Sequence, residues 1–176
     1  MQDYLERPLI IENPSTYASF KNSNIAEWDF LRIMTEETGC GLLLDVNNVF
    51  VSSFNNEFDP IEYIEGIPHD RVVQMHLAGH QNCGNYIVDT HDREVTTQVW
   101  QLFQLAYQHA SDAAILLEWD GNIPEFDVYH AELMKSKKFM DPNYVETEKD
   151  IQYSDGEQVS NPLNMMSPQL MDQSQQ

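Results

Sequence analysis

The stretch Leu42-Leu43-Leu44-Asp45-Val46-Asn47-Asn48-Val49-Phe50 decides how this chain is expected to fold. Its leucine run is short, follows Gly39-Cys40-Gly41, and ends in one carboxylate and two amides. A short apolar run favours a strand over a helix, and a parallel strand covered on both faces carries continuous apolar residues. Ligands of open α/β sheets and barrels bind where such strands end. We therefore expect a buried parallel strand with functional side chains at its carboxyl end.

Three further apolar runs have the same organisation. Each ends next to a side chain that can bind a metal ion: residues 8–11 precede Glu12, residues 72–75 precede His76, and residues 114–117 precede Glu118. Helical patterns alternate with these runs, at 25–38, from Asp59-Pro60 to Gly66, at 95–110 and at 126–140. This alternation predicts an α/β fold of about four β/α units with a site at the strand ends.

The polar segment from Leu77 to Asp92 is longer than a minimal turn between a strand and a helix. Loops of this length in compact domains are usually functional or disordered. The segment contains His80, Asp89 and His91, and Asp92 is expected to cap the helix at 95–110. We therefore regard this loop as part of the predicted site.

Composition limits the partners and the compartment of the protein. The 176 residues include 29 acidic and nine basic ones, for a formal net charge of −20. A nucleic-acid partner is not expected, because such partners are bound through Lys and Arg. The acidic excess is typical either of a solvated surface or of carboxylates that bind cations.

Neither a targeting segment nor a membrane anchor is expected. Met1–Arg7 has no apolar signal core, and no apolar run approaches the roughly 20 residues that cross a bilayer. Cys40 and Cys83 form no paired motif, which favours a reducing compartment. These features predict a cytoplasmic protein without a membrane partner.

A change in composition divides the chain into two parts. Residues 1–140 carry all four apolar runs and are expected to form one metal-binding α/β domain. Residues 141–176 consist mainly of Asp, Glu, Gln, Ser, Asn and Pro with scattered methionines, which predicts a disordered acidic and polar tail.

The strand ends and the adjoining turns offer a mixed set of metal-binding side chains: Glu12, Asp45, Asn48, His76, His80, Asp89, His91 and Glu118. Imidazole with carboxylate suits iron, zinc or manganese. Carboxylates forced together repel one another unless cations lie between them. A single histidine after a strand is more often structural, so the metal hypothesis depends on the whole set.

Five segments resemble, in order, the motifs of the MbnB-type multinuclear iron oxidase family: Glu12–Tyr17, Gly39–Val49, His76–His80, Asp89–Asp92 and Glu118–Asp120. The resemblance extends over about Leu5 to Leu133. The family is similar in architecture to xylose isomerase, with a TIM barrel, and it oxidises cysteine residues of ribosomally made peptides. The resemblance implies two or three iron ions in the complete fold, a precursor peptide as substrate, and a protein partner that presents the peptide.

The resemblance also implies a role for each residue of the first metal position. Glu12 would bridge two metal ions, and Asp45, His76 and Glu118 would complete the shell of one of them.

A second metal position is implied in the same way. Asn48, Asp89 and His91 would hold that ion, with Asn47 as the alternative to Asn48. His80 would lie in an outer shell or near the substrate, where it would act catalytically in proton transfer.

The chain departs from the family in its size. A closed TIM barrel needs eight β/α units and typically about 250 residues, and this chain supplies four strands, which we assign to the second half of the barrel. Three hypotheses follow: part of an iron-dependent peptide-modifying oxidase; a metallohydrolase or isomerase that uses metal-bound hydroxide or a polarised carbonyl; or a half-barrel without catalysis.

Overall fold

A computed structural model of the chain describes residues 1–145, Thr147 and residues 158–159. The helices and strands are, in chain order, α1 (Gln2–Leu5), β1 (Ile10–Glu12), α2 (Glu27–Thr38), β2 (Gly41–Asp45), α3 (Val46–Asn56), α4 (Pro60–Gly66), a 3-10 turn (His69–Arg71), β3 (Val72–Leu77), β4 (Gln81–Asn82), β5 (Ile87–Val88), α5 (Thr97–His109), β6 (Ala114–Leu117) and α6 (Phe126–Phe139). Most of the predicted tail at 141–176 lies outside the described residues, so its disorder stays a prediction.

Four of the strands form one parallel sheet in the order β1-β2-β3-β6. All four correspond to the apolar runs of the sequence, and the predicted α/β class with a parallel sheet is confirmed. β4 and β5 form a small antiparallel hairpin inside the long loop that follows β3. The sheet therefore places the ends of β1, β2, β3 and β6 along one edge.

The strand register assigns each side chain to one of two faces of the sheet. Asp45 pairs with His76, and Glu12 pairs with Leu43 two positions before Asp45, so these polar residues share one face. We call it the site face. The opposite face, which we call the helix face, carries Leu42, Leu44, Met75, Leu77 and Leu117, all at most 2% exposed and packed with the helices. The hydrophobic core lies on the helix face alone.

Helix α3 was not predicted. It begins directly after Asp45, whose carboxylate accepts a hydrogen bond from the Asn48 amide at 2.7 Å and so caps the helix. The sequence following Asp45 is rich in valine and asparagine, which are weak helix formers, and only burial of this segment overrides that preference. Asn48 therefore lies in the first turn of a helix and not in a loop.

The predicted cap of α5 was wrong. Thr96 caps this helix, because its hydroxyl accepts a hydrogen bond from the Val99 amide at 3.4 Å. Asp92 instead accepts two hydrogen bonds from Arg93, at 2.7 and 3.0 Å, and one from Thr90. The Asp92 carboxylate therefore binds Arg93 and Thr90 and does not cap α5.

Among the described residues, no helix combines the length and the apolar character that crossing a bilayer requires.

Candidate metal centre

The site is built where β1, β2, β3 and β6 end. Glu12 is the last residue of β1, Asp45 the last of β2, and Glu118 follows β6 directly. Glu118 is held in place by its backbone amide, which donates to the Leu77 carbonyl at 2.8 Å. Parallel strands bring these ends together although the residues lie far apart in the sequence.

Asp45 is fixed from two sides. The side chain of Asn13 bridges its backbone, donating to the Asp45 carbonyl at 3.0 Å and accepting from the Asp45 amide at 2.8 Å. Asn48 donates through its own side chain to the Asn13 carbonyl at 2.9 Å. Asp45 Oδ1 is used as the cap of α3, whereas Asp45 Oδ2 and Asn48 Oδ1 are buried without a hydrogen-bond partner.

Glu118 lies between two imidazole rings. Its Oε1 is 2.9 Å from His76 Nδ1, and its Oε2 is 3.0 Å from His91 Nδ1. Glu12 Oε1 is 3.9 Å from the same nitrogen of His76. Gln74 contacts the other ring nitrogen of His76 at 3.2 Å and so holds the ring from behind.

The loop that carries Asp89 and His91 is held firmly. His91 adopts a left-handed backbone conformation with a φ of 47°, which is unfavourable for a residue with a side chain. Its amide donates to the Gly79 carbonyl at 3.0 Å, and its carbonyl accepts from the Asp120 amide at 2.6 Å. His91 Nδ1 also lies 3.2 Å from Asp120 Oδ2. These contacts hold the strained conformation and aim the ring at Glu118.

His80 reaches the site through Asn47. His80 is 2% exposed, and its Nδ1 lies 2.7 Å from Asn47 Oδ1. The amide nitrogen of Asn47 donates to Asp89 Oδ1 at 2.7 Å. Since this leaves Asn47 Oδ1 as the acceptor, His80 carries its proton on Nδ1. Phe50 packs against the ring with centroids 5.1 Å apart.

Burial and neighbouring charges perturb the acids of the site. Burial is the main cause that raises the pKa of Asp45 to about 8, and it also raises the pKa of Glu12. For Asp89, burial acts in the same direction, but contacts with His91, Ser15 and Asn47 outweigh it and lower the pKa. Without a cation, the Asp45 carboxylate is thus kept protonated near neutral pH.

The pKa values of His80 and His91 shift in opposite directions. Burial lowers the pKa of His80 to about 4, so this ring is neutral at physiological pH. Burial also opposes the charge of His91, but its contact with Asp89, and to a smaller extent the nearby carboxyl groups of Asp45 and Glu118, raise its pKa to about 9. A positive charge is therefore favoured at the position of His91.

The donor set fits a metal ion. Two groups of three side chains each bring one ligand atom per residue within 4.8 Å of one another: Glu12 with Asp45 and His76, and Asp45 with His91 and Glu118. Among the described residues, the buried polar atoms without a hydrogen-bond partner include Asp45 Oδ2, Asn48 Oδ1, His76 Nδ1 and His91 Nε2. Unpaired buried polar atoms are costly unless an ion or water satisfies them.

Two close contacts support the same interpretation. His91 Nε2 lies 2.6 Å from Asp89 Oδ1, and His76 Nδ1 lies 2.9 Å from Glu118 Oε1, yet neither pair has the angles of a hydrogen bond. Ligand atoms that point at a shared ion have this arrangement: they are near one another without facing one another.

All eight predicted site residues lie in this region, but not in equivalent places. Five of them, Glu12, Asp45, His76, His91 and Glu118, form the two groups of three. Asn48 contacts Asp45, and Asp89 contacts His91, so both lie next to these groups. His80 is further away and reaches Asp89 only through Asn47. Asp45 belongs to both groups, while the bridging role that the resemblance implies for Glu12 stays a prediction.

Three further residues of the site make contacts that the sequence did not predict. Asn13 fixes the backbone of Asp45, Asn47 joins His80 to Asp89, and Asp120 contacts His91. The sequence did mark two of these positions: Asn13 directly follows a strand end, and Asn47 was the alternative ligand to Asn48. The structure assigns different contacts to the two amides, since the unpartnered oxygen belongs to Asn48.

Residues 1–141 match a protein family described as RiPP precursor modification enzyme MbnB/TglH/ChrH, in which a RiPP is a ribosomally made and later modified peptide. The chain belongs to this family. The match confirms the resemblance that the five motifs indicated.

Similar proteins carry the name UPF0276 protein. The one from Caulobacter vibrioides is 48% identical over 132 residues, covering 75% of this chain and 47% of the relative. Those from Acaryochloris marina and Vibrio parahaemolyticus are 40% and 45% identical, and the matches cover 80% and 77% of this chain but 51% and 49% of the relatives. The chain thus spans about half the length of the relatives it matches.

Proposed function

We propose that this chain forms part of an iron-dependent oxidase that modifies a cysteine of a ribosomally made peptide. The observation that carries the proposal is that Asp45, His76, His91 and Glu118 lie together in the two ligand groups. Asp45, His76 and His91 each also have a buried side-chain atom without a hydrogen-bond partner. Membership of a family that modifies such peptides supports the peptide substrate. Zinc and manganese suit the same donor types, so the choice of iron is itself part of the proposal.

Glu12, Asp45, His76 and Glu118 would hold one ion, and Asn48, Asp89 and His91 a second. Bound iron would supply redox chemistry for the oxidation of a peptide cysteine by dioxygen. The carboxylates of Asp45 and Glu118 would balance part of the charge of the ions.

The chain's other residues position these ligands. Asn13 fixes the backbone of Asp45, and Asn47 fixes the carboxylate of Asp89. His80, neutral and buried, orients Asn47 and is therefore a positioning residue in this structure. A direct role for His80 in proton transfer stays a prediction.

A cleft next to the site offers room for the peptide. It has a volume of about 450 Å³ and is lined by residues of two loops and of the first turn of α6: Asp92, Arg93, Glu94, Trp119, Asn122, Pro124 and Val128. Asp92 follows His91 in the sequence and Trp119 follows Glu118, so both walls of the cleft begin at ligand residues. We propose that the peptide approaches the metal centre along this cleft.

We also propose that the sheet is an arc of a TIM barrel. Its four parallel strands alternate with helices, all the core helices lie on one face, and the site lies at the carboxyl ends of the strands, as in barrel enzymes.

Iron content tests the proposal most directly. Protein loaded with ferrous iron without oxygen is compared with His91→Gln, Glu118→Gln and the control His109→Gln, which changes an exposed histidine on α5. We expect close to two irons per chain in the unmodified protein and the control, and a clear loss in the other two. Equal iron in all four proteins would refute the site.

The reaction class is tested separately. Oxygen consumption is measured on adding cysteine-containing peptides to the iron-loaded protein, and the peptides are examined for loss of mass. Turnover without oxygen would favour the metallohydrolase or isomerase instead of the oxidase.

A further inference from the structure

We infer that the site face of the sheet is an interface for a second set of β/α units, similar to the part of the relatives that this chain does not match. The inference rests on the proposed barrel architecture and not on the proposed chemistry. It concerns which polypeptide covers the side of the sheet that carries the metal ligands.

The two faces of the sheet differ sharply in burial. On the site face, Ile10, Val73 and Leu116 are 47%, 45% and 41% exposed, whereas Leu42 and Leu117 on the helix face are each 2% exposed. Register fixes these positions, since Leu116 pairs with His76. Ile10 and Val73 both flank the position where a side chain on Gly41 would lie. Parallel sheets are normally buried on both faces, so the exposed apolar side chains on the site face require a cover.

The edges of the sheet show what kind of cover is needed. β1 pairs only with β2, and β6 pairs only with β3, so each has an unpaired side among the described strands. On the helix face beside β1, a cleft of about 370 Å³ is lined partly by Leu9, Ile11 and Met34. Unpaired strand edges accept strands. The partly apolar cleft beside α2 has room for a further element against the helix face. The occupant therefore contains both strands and helices.

A second copy of the chain is a poor occupant. Each copy carries a formal net charge of −20, and pairing two site faces would also bring two sets of acidic ligands together. The relatives point to a different occupant, because the chain covers only 47–51% of those described above. A β/α segment equivalent to their remaining half satisfies the strand edges, the apolar face and the cleft.

Such a cover also bears on the metal site. The side chain of Glu12 is 43% exposed and that of Glu118 is 25% exposed, both at the open side. Covering this side excludes water from the ligands and adds groups opposite Glu12.

The experiment coexpresses this chain with the segment of the Caulobacter vibrioides relative that lies outside the match, with an affinity tag on one of the two. Copurification and light scattering measure the stoichiometry. The variants are Ile10→Glu and Leu116→Glu on the site face. Ile61→Glu is the matched control, because Ile61 is also 47% exposed but lies on α4.

We expect a one-to-one complex with the unmodified chain and with Ile61→Glu. Each site-face variant should bind at least about tenfold more weakly, as expected for placing a charge where a half-exposed isoleucine or leucine becomes buried. Absence of the complex, or equal weakening by Ile61→Glu, would overturn the inference. A homodimer that Leu116→Glu disrupts would show that a second copy covers the face.

A single polypeptide that joins the segment to this chain gives a second measurement, which does not depend on the solubility of the free segment. In this fusion, backbone amides of β1 and β6 should exchange with solvent at least about a hundredfold more slowly than in the chain alone. Equal exchange in the two proteins would contradict the inference. The iron content of the chain alone, measured as above, decides the metal proposal independently.

Discussion

Replacing Asn13 with alanine tests whether a side chain that is not itself a candidate metal ligand controls the metal centre. Asn13 is 2% exposed and makes both hydrogen bonds to the backbone of Asp45, at 3.0 and 2.8 Å. Its loss removes one hydrogen bond from the buried amide and one from the buried carbonyl of Asp45. At about 1–3 kcal/mol for each lost hydrogen bond to a buried group, with some relief from water, we expect a loss of about 2–4 kcal/mol in the free energy of unfolding.

Metal binding should suffer beyond this loss of stability. With the Asp45 backbone released, the carboxylate that both ligand groups share can shift away from His76 and His91. Mutations in outer-shell residues typically weaken metal binding about 10–100-fold, and we expect an effect of this size. Urea unfolding gives the stability, and titration with ferrous iron or manganese under folding conditions gives the affinity.

Ile64→Ala provides the control for stability. Ile64 is fully buried in α4, outside the metal site, and removing its side chain should cost about 2–5 kcal/mol. This variant should bind metal as the unmodified chain does. If both variants lost metal binding equally, general destabilisation would explain the effect; if Asn13→Ala kept full affinity, the argument about Asp45 would be wrong.

Three further predictions concern the same centre. Asn47→Leu removes the contacts to His80 and Asp89, so the metal affinity measured by titration should fall about 10–100-fold. The affinity of His80→Gln should fall by less, because glutamine keeps a hydrogen-bond donor. Gly79→Ala places a methyl group within 2.4 Å of the Arg93 and Glu94 carbonyls and should cost about 1–3 kcal/mol in urea unfolding, whereas Gly41→Ala, whose contacts begin at 3.5 Å, should cost less. In the presence of a chelator, the pKa values of Asp45 and His91 are raised to about 8 and about 9, so the folded state holds protons that the unfolded state releases. The free energy of unfolding, measured with urea, should therefore fall by about 1–2 kcal/mol per pH unit from pH 6.5 to 8. A free energy of unfolding that rises over this pH range would contradict the prediction.

The strands and the ligand types could be predicted from the sequence because each signal is local. An apolar run that stops at Glu12, His76 or Glu118 shows both the strand and the polar group at its end. The start of α4 was equally local, since Asp59 followed by Pro60 is a cap followed by a residue suited to the first helical position.

Other features depend on contacts that the sequence does not display. Asn13 and Asn47 act on residues 32 and 42 positions away, and neither amide differs in sequence from an ordinary loop asparagine. α3 was missed because its valines and asparagines favour other conformations, although Asp45 did provide a capping signal. The closeness of His76 and Glu118 follows from strand register, and that of His91 from its backbone hydrogen bonds to Gly79 and Asp120; only the structure gives either.

Asp45 connects the fold and the centre through its two carboxylate oxygens. Oδ1 accepts the hydrogen bond that starts α3, while Oδ2 is buried without a hydrogen-bond partner. An asparagine at this position could cap the helix about as well, so the cap alone does not require a charge. The negative charge instead raises the cost of burial, as the pKa of about 8 shows, and a nearby cation offsets that cost. A carboxylate at the end of β2 is therefore costly for the fold by itself and favourable once a metal ion is bound.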